Sequence, residues 1–196
     1  MSIEEINELI KHKQWELLVQ IGEPAVVPLI ASLARIKFSS IRFLLATLGD
    51  IGDRRGVDTL IQFINIGDYY ITSSAIKSLG KIGDPTAVES LIKVLISSNK
   101  NHRRESAKAL GMIGDPKAIE LLNCCLSDPD KHLQLEAALA LIKIDNARAT
   151  NCLIRYILDK KNSFWENLRN HLAKIFRLTE LQSWAITVRD NCNWNQ

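Results

Sequence analysis

The sequence predicts an all-α protein, an α-solenoid of about five helix pairs with helical caps at its two ends. Three observations predict it. The segment Lys81-Ile82-Gly83-Asp84-Pro85-Thr86-Ala87-Val88 returns as Met112-Ile113-Gly114-Asp115-Pro116-Lys117-Ala118-Ile119, with variants at Ile21-Gly22-Glu23-Pro24 and Ile51-Gly52-Asp53-Arg54 and a degraded copy at Ile144-Asp145-Asn146-Ala147. The isoleucines at 21, 51, 82, 113 and 144 set a period of about 31 residues, which suits stacked two-helix repeats. Between these segments apolar residues recur at i, i+3, i+4 and i+7, the spacing of a helix with one buried face. The whole chain, 1–196, therefore reads as a single array: an N-terminal cap at 1–21, repeats at 22–158, and a last helix with an aromatic C-terminal cap at 159–196.

The first segment carries Ile3, Ile6, Leu9 and Ile10, then Trp15, Leu18 and Val19, the pattern of two short amphipathic helices separated at Lys11-His12-Lys13. Glu4, Glu5 and Glu8 face water, and Trp15 covers the first repeat, because the end of an array has no neighbour to bury it. From Gly22 the unit repeats. Asp84 and Asp115 are natural N-caps, and Pro85 and Pro116 occupy the first helical position, where a missing N–H costs nothing. The first helix of each pair shows the stripe Val88, Leu91, Ile92 and Leu95, matched by Val57, Leu60, Ile61 and Ile64 and by Ile119, Leu122 and Leu126. The second helix carries Leu48, Leu79, Leu110 and Leu141 in register, beside the small residues Thr47, Ser78, Ala109 and Ala140, which keep helices close. Gly49, Gly80 and Gly111, with the glycines three residues on, are expected as helix C-caps, where a positive φ favours glycine.

The fourth copy erodes, since Ile142 and Asp145 replace its two glycines. A further helix pair is expected at 147–158 and 164–176, and Thr179 caps a last helix with Leu181, Trp184 and Ile186. Half of the twelve aromatics lie from Tyr156 onward. They form either a cap over the last repeat or a docking surface through Trp165, Trp184 and Trp194, since tryptophan is a typical interface anchor.

Composition narrows the function. No apolar run approaches the roughly 18 residues of a membrane span, and Glu4, Glu5 and Glu8 interrupt any signal-like segment after Met1. A cytoplasmic location is the default expectation. Cys124, Cys125, Cys152 and Cys192 form no CxxC pair and no secreted disulfide framework, and the adjacent pair reads as small helix hydrophobes. A net charge of +3, with acids interspersed among the bases, argues against nucleic acid as the main partner.

The block Ala107-Lys108-Ala109-Leu110-Gly111-Met112-Ile113-Gly114-Asp115-Pro116-Lys117-Ala118-Ile119, with its copy at 78–88, resembles the HEAT-like repeat of the phycobilin lyases, A-x-A-L-G-x-I-G-D-P-x-A-V preceded by D-x-x-V-R. The resemblance covers Gly22 to about Leu158 and implies a right-handed α-α superhelix. It departs from the pattern at the arginine, which only Arg103 matches, while Ile41, Thr72 and Gln134 stand in register. Arg103 is expected to form an internal ion pair with Asp84 or Asp115.

The resemblance also implies that second helices line a concave binding face. In steps of 31, its outward positions are Phe38, Ser39, Arg42, Phe43 and Ala46; Tyr69, Tyr70, Ser73, Ser74 and Lys77; Lys100, Asn101, Arg104, Glu105 and Lys108; and Lys131, His132, Leu135, Glu136 and Leu139. From these, Phe38, Arg42, Phe43, Tyr69, Tyr70, Lys77, Asn101, Arg104, Lys108, His132 and Glu136 are the candidate protein-binding residues. Their variation from copy to copy suits a binding face or an ordinary solvated one, and large rings at positions that packing does not require favour binding.

Catalytic signatures are missing from the sequence. The histidines, His12, His102, His132 and His171, are scattered, and although His102 and His132 lie about one repeat apart, two imidazoles lack the further ligands a zinc site needs. The His-Glu pairs of HEAT-repeat deoxyhypusine hydroxylases do not occur, and Glu105 and Glu136 would interrupt the basic groove of a HEAT-like DNA glycosylase. Phosphate-loop and nucleophile-elbow motifs are absent too. Two functions are therefore expected. The first is a non-catalytic scaffold or adaptor that binds another protein, with no metal and no cofactor. The alternative, implied by the resemblance, is a phycobilin lyase subunit or phycobilisome-associated factor, paired with a second solenoid subunit, in which Arg104 and Lys108 would meet bilin propionates and Tyr69 or Tyr70 would stack on the rings.

Overall fold

A computed structural model describes residues 2–144, and the chain divides into two compact units, Met1–Ile144 and Asp145–Gln196. The expected helices at 147–158 and 164–176, the last helix, and Trp165, Trp184 and Trp194 lie outside the described residues. Ten α-helices and no strand occur among those described. They are α1 (Ile3–Lys11), α2 (Trp15–Ile21), α3 (Val26–Ser32), α4 (Phe38–Ile51), α5 (Val57–Ile64), α6 (Tyr69–Ile82), α7 (Val88–Leu95), α8 (Lys100–Ile113), α9 (Ile119–Cys125) and α10 (Lys131–Lys143). The fold is an α-solenoid, as predicted: α1 and α2 form the N-terminal cap and the other eight helices form four stacked pairs.

Local chemistry starts each element where the repeat places it. Ser2 and Glu5 form a reciprocal capping box on α1, and Lys13, with φ 57°, breaks the chain before α2. The repeated turn is a short 3₁₀ segment: the carboxylates of Asp53, Asp84 and Asp115 accept the backbone N–H two residues on, and Pro85 and Pro116 open the turn. Bonds of this kind to Thr86 hold the Asp84 carboxyl below its ordinary range, first through the Thr86 side chain and then through its backbone N–H. Gly52, Gly83 and Gly114 end the second helices in the left-handed conformation, at φ 78°, 75° and 77°. In α10 the terminal residue is Ile144, with right-handed angles, in keeping with the erosion of that copy.

The core runs along the seam of the pairs. Leu60, Leu91 and Leu122 from the first helices meet Leu48, Leu79, Leu110 and Leu141 from the second, all buried, and burial of each such side chain contributes about 2 kcal/mol. Cys125 joins this core, and its burial pushes the thiol up to about 11. Cys124, its neighbour on α9, is exposed; both cysteines sit on a helix as expected, and one of them is buried.

Gly49, Gly80 and Gly111 are not C-caps. They lie inside the second helices, buried, and their role is proximity. A Cβ on Gly49 would stand 2.5 Å from the Ser78 Cβ, one on Gly80 2.9 Å from the Ala109 Cα, and one on Gly111 2.5 Å from the Ala140 Cα. Each glycine thus receives the small residue of the next second helix, backbone against backbone. Second helices stack directly on one another, while the first helices of neighbouring pairs barely meet. That difference makes the second-helix layer the closer-spaced, inner one, and it is the layer on which the expected concave face lies.

Gly111→Ala is expected to lower stability by about 1–3 kcal/mol in urea unfolding, because the new methyl group must displace the α10 backbone. Helix propensity alone predicts the opposite, a gain of up to about 1 kcal/mol, so a stabilised variant would refute the close-approach reading.

Candidate functional site

Of the second helices, α6, α8 and α10 begin with a polar cap residue that fixes what the inner layer displays, whereas α4 follows Lys37 without a side-chain cap. Asp68, Asn99 and Asp130 cap α6, α8 and α10 by accepting backbone N–H bonds, and they fall in register at steps of 31. The residues just after these caps project along the N-terminal halves of the helices. There the structure assembles a connected run of rings and cations.

Trp15, half-buried on α2, stacks on Phe43 at a centroid distance of 6.5 Å and an interplanar angle of 9°. The Arg42 guanidinium carbon lies 4.5 Å from the Phe43 ring centroid and 5.6 Å from that of Tyr70. Tyr70 meets Tyr69 edge-on at 5.2 Å, and Tyr69 stacks on His102 of the next repeat at 5.0 Å. The Asn101 amide donates to the Tyr69 hydroxyl at 3.1 Å and accepts from Arg104 Nη1 at 3.4 Å. The run therefore joins α2, α4, α6 and α8 without a break. Phe38 and Tyr70 remain 60% and 61% exposed, large apolar area that packing leaves open.

Below the rings lies a charged zone. Arg104 donates to both oxygens of Asp130, at 2.6 and 2.8 Å, the bidentate geometry that suits a guanidinium. Those bonds, with the His132 backbone N–H, hold the Asp130 carboxyl below its ordinary range against the opposing effect of burial. Glu105 Oε1 accepts from Ser73 Oγ at 2.8 Å and meets Lys77 Nζ at 2.9 Å, while its Oε2 is buried without a hydrogen-bond partner. Lys81 pairs with Asp50. Lys108 and Glu136 line one shallow hollow with Leu139, Ala140 and Lys143.

Most predicted positions are thus where the register put them, with corrections of detail. Arg42, Phe43, Tyr69, Tyr70, Asn101 and Arg104 are brought together, Lys77 pairs separately with Glu105, and Lys108 lines a hollow with Glu136. Phe38 and His132 are exposed but have no ring or ion-pair partner among the described residues. Ser73, expected outward, is 7% exposed, since its small side chain is covered by Glu105. Arg103 does form an internal pair, but with Asp128 and with the Leu95 carbonyl oxygen at 2.9 Å. Neither Asp84 nor Asp115 is its partner: Asp115 follows the far end of α8, about 18 Å of helix away.

Two members were not foreseen. His102 is buried, with Nε2 3.2 Å from the Tyr69 carbonyl oxygen, and the signal was its register, shared with the buried Ser40, Ile71 and Leu133. The signal for Asp130 was its step of 31 from Asn99. No group of three His, Cys, Asp or Glu residues able to hold a metal ion occurs among the described residues, nor does a helix long and apolar enough to cross a membrane.

The family profile described as HEAT repeats matches residues 41–99 and 88–166. No curated protein matches the chain. Among solved structures, the complex of CpcE and CpcF of phycocyanin lyase from Nostoc sp. PCC7120 aligns at 22% identity and TM-score 0.60, over 86% of this chain and 74% of that one. An archaeal HEAT-like repeats protein from Thermococcus onnurineus NA1 aligns at 18% identity and TM-score 0.57, over 86% and 77%. A designed armadillo repeat protein in complex with peptide (KR)4 aligns at 14% identity and TM-score 0.55, over 84% and 87%.

Asp130→Asn keeps the cap acceptor and removes the charge that Arg104 holds. A carboxyl depressed in the folded state contributes stability above its unfolded value, about 3.9, and loses it as pH falls through the folded value. The variant is therefore expected to unfold at lower urea than the parent from pH 7 down to about 5, with the gap closing below about pH 3. A gap independent of pH would show that the ion pair contributes nothing.

Proposed function

The chain belongs to the HEAT-repeat family, and from the face its second helices build we propose that it is a non-catalytic scaffold that binds another protein there, a second solenoid subunit being one such partner. The observation that carries this reading is the ring and cation run from Trp15 to Asn101, which leaves Phe38, Phe43 and Tyr70 open on a preformed helical surface. Rigid helices lose little entropy on association, so a few aromatic and arginine anchors can suffice. Support also comes from the solved neighbours, one a complex of two lyase subunits and another an array of similar fold holding a peptide.

The test is a photo-crosslinking amino acid at position 70, compared with one at the outer-face position 93. Specific adducts with another polypeptide are expected from 70 only, and Arg42→Ala with Tyr70→Ala should abolish capture of that polypeptide while helical content stays constant. Equal adducts from 93, or undiminished capture by the double variant, would overturn the assignment of the face.

A second reading, a subunit of a bilin lyase positioning the tetrapyrrole and its acceptor protein, is supported by the likeness to the CpcE and CpcF complex and by stacking rings beside basic groups. Mixing the protein with phycocyanobilin is expected, under this reading, to shift and intensify the visible absorbance, and Tyr70→Ala should reduce the change. An unaltered spectrum would remove it.

A further inference from the structure

We propose that the second-helix face takes an extended acidic segment of its protein partner, one carboxylate on Arg42, another on Lys108, and an apolar side chain between them. The proposal rests on the reading that this face binds protein and adds the chemistry of what it binds.

The charges on the face divide into committed and uncommitted groups. Lys77 is paired with Glu105, Lys81 with Asp50, Arg103 with Asp128 and Arg104 with Asp130. Among the described residues of the second helices, Arg42, Lys100, Lys108, Lys131 and Lys143 have no acidic partner, and Glu136 is the one acid of the same face left unpaired. The surplus is positive, and the complementary ligand is anionic.

Arg42 is the most specific of these cations. It lies over Phe43 and Tyr70, and a guanidinium attracted to a ring face uses none of its N–H donors in doing so. Asp68, the register counterpart of the Asp130 that caps α10 and also holds Arg104, caps α6 through the Ile71 N–H at 2.9 Å and forms no ion pair with Arg42. A fork held in place by rings and free at its donors suits bidentate capture of a carboxylate. Phe43, backed by Trp15, and Tyr70 supply apolar surface immediately beside it.

Spacing sets the length of the segment. Arg42 stands on α4 and Lys108 on α8, two inter-helix steps across and about one helical turn along from Arg104, the register counterpart of Arg42, which gives about 17–21 Å at ordinary helix spacing. An extended chain rises about 3.3 Å per residue, so the two carboxylates fall about five residues apart. Between them Glu105 is already neutralised by Lys77 and so does not repel the chain. A nucleic acid is disfavoured because its closely spaced phosphates would pass Glu136 beside Lys108 and find few free cations.

The probe is a rhodamine-labelled peptide with the core Glu-Gly-Phe-Phe-Gly-Glu, followed by fluorescence anisotropy against the full chain. Binding is expected, weakened about tenfold by Arg42→Ala, as loss of a charge-assisted pair implies, less by Arg42→Lys, severalfold by Lys108→Ala, and not at all by Lys93→Ala on the outer face. The charge-reversed core Lys-Gly-Phe-Phe-Gly-Lys should bind at least about tenfold more weakly. Equal binding of the reversed peptide, indifference to Arg42→Ala, or tighter binding of a labelled ten-residue oligothymidylate would each overturn the proposal. If the acidic peptide does not bind while crosslinks from position 70 persist, the face binds protein of other chemistry and this proposal alone falls. Arg42 is exposed and makes no hydrogen bond, and matched unfolding curves for the variants exclude misfolding.

Discussion

The structure depends on the contact between a glycine near the end of α4, α6 and α8 and a small residue of the next second helix, Gly49 with Ser78, Gly80 with Ala109 and Gly111 with Ala140. Since no room remains for even a methyl group, backbone contact fixes the spacing of the inner layer. The first helices of neighbouring pairs barely meet. Near the opposite ends of the second helices, the spacing is filled by much larger groups, the stack of Tyr69 on His102 and the pair of Arg104 with Asp130. Fold and candidate site thus occupy two ends of one helical layer, and the tight end holds the open end in position.

Much of this was legible in the sequence because the array is quasi-linear: each repeat contacts its neighbours, so a residue type repeated at a fixed interval reports one environment sampled several times. Leu48, Leu79, Leu110 and Leu141 are buried for that reason, and Asp53, Asp84 and Asp115 bond the corresponding N–H in three successive copies. The glycine role was misassigned because glycine serves two needs three residues apart. At Gly52, Gly83 and Gly114 it provides a left-handed backbone, and at Gly49, Gly80 and Gly111 only the missing side chain matters. Sequence shows the residue and not which property of it is used.

The polar contacts of the face were less legible for a different reason. Arg103 and Arg104 find partners 25 and 26 residues later, in the turn that opens the next second helix, whereas sequence reasoning looked to the conspicuous aspartates of the repeated turn. Those aspartates lie past the other end of the helix. Ser73 shows the complementary effect, since a small side chain at an outward register is buried by the longer one beside it. Register fixes where a Cα stands, and side-chain length decides which groups reach each other.

Arg42 and Arg104 bring these effects together. They occupy the same register two repeats apart, and each has an aspartate 26 residues on, Asp68 and Asp130. Arg104 takes its aspartate, but Arg42 lies over rings instead. The local difference is that the register positions of Phe43 and Tyr70 are filled by Glu105 and His132 around Arg104, so the later arginine has no aromatic face to lie on. A solvated ion pair contributes at most about 1 kcal/mol, and contact with two rings contributes a comparable amount while keeping the guanidinium donors free. Phe and Tyr in place of Glu and His at two non-repeating positions thus accompany the difference between an arginine tied to an aspartate and one lying over rings. In a repeat protein, positions that do not affect packing can change freely, and here the difference separates a structural arginine from a candidate binding one.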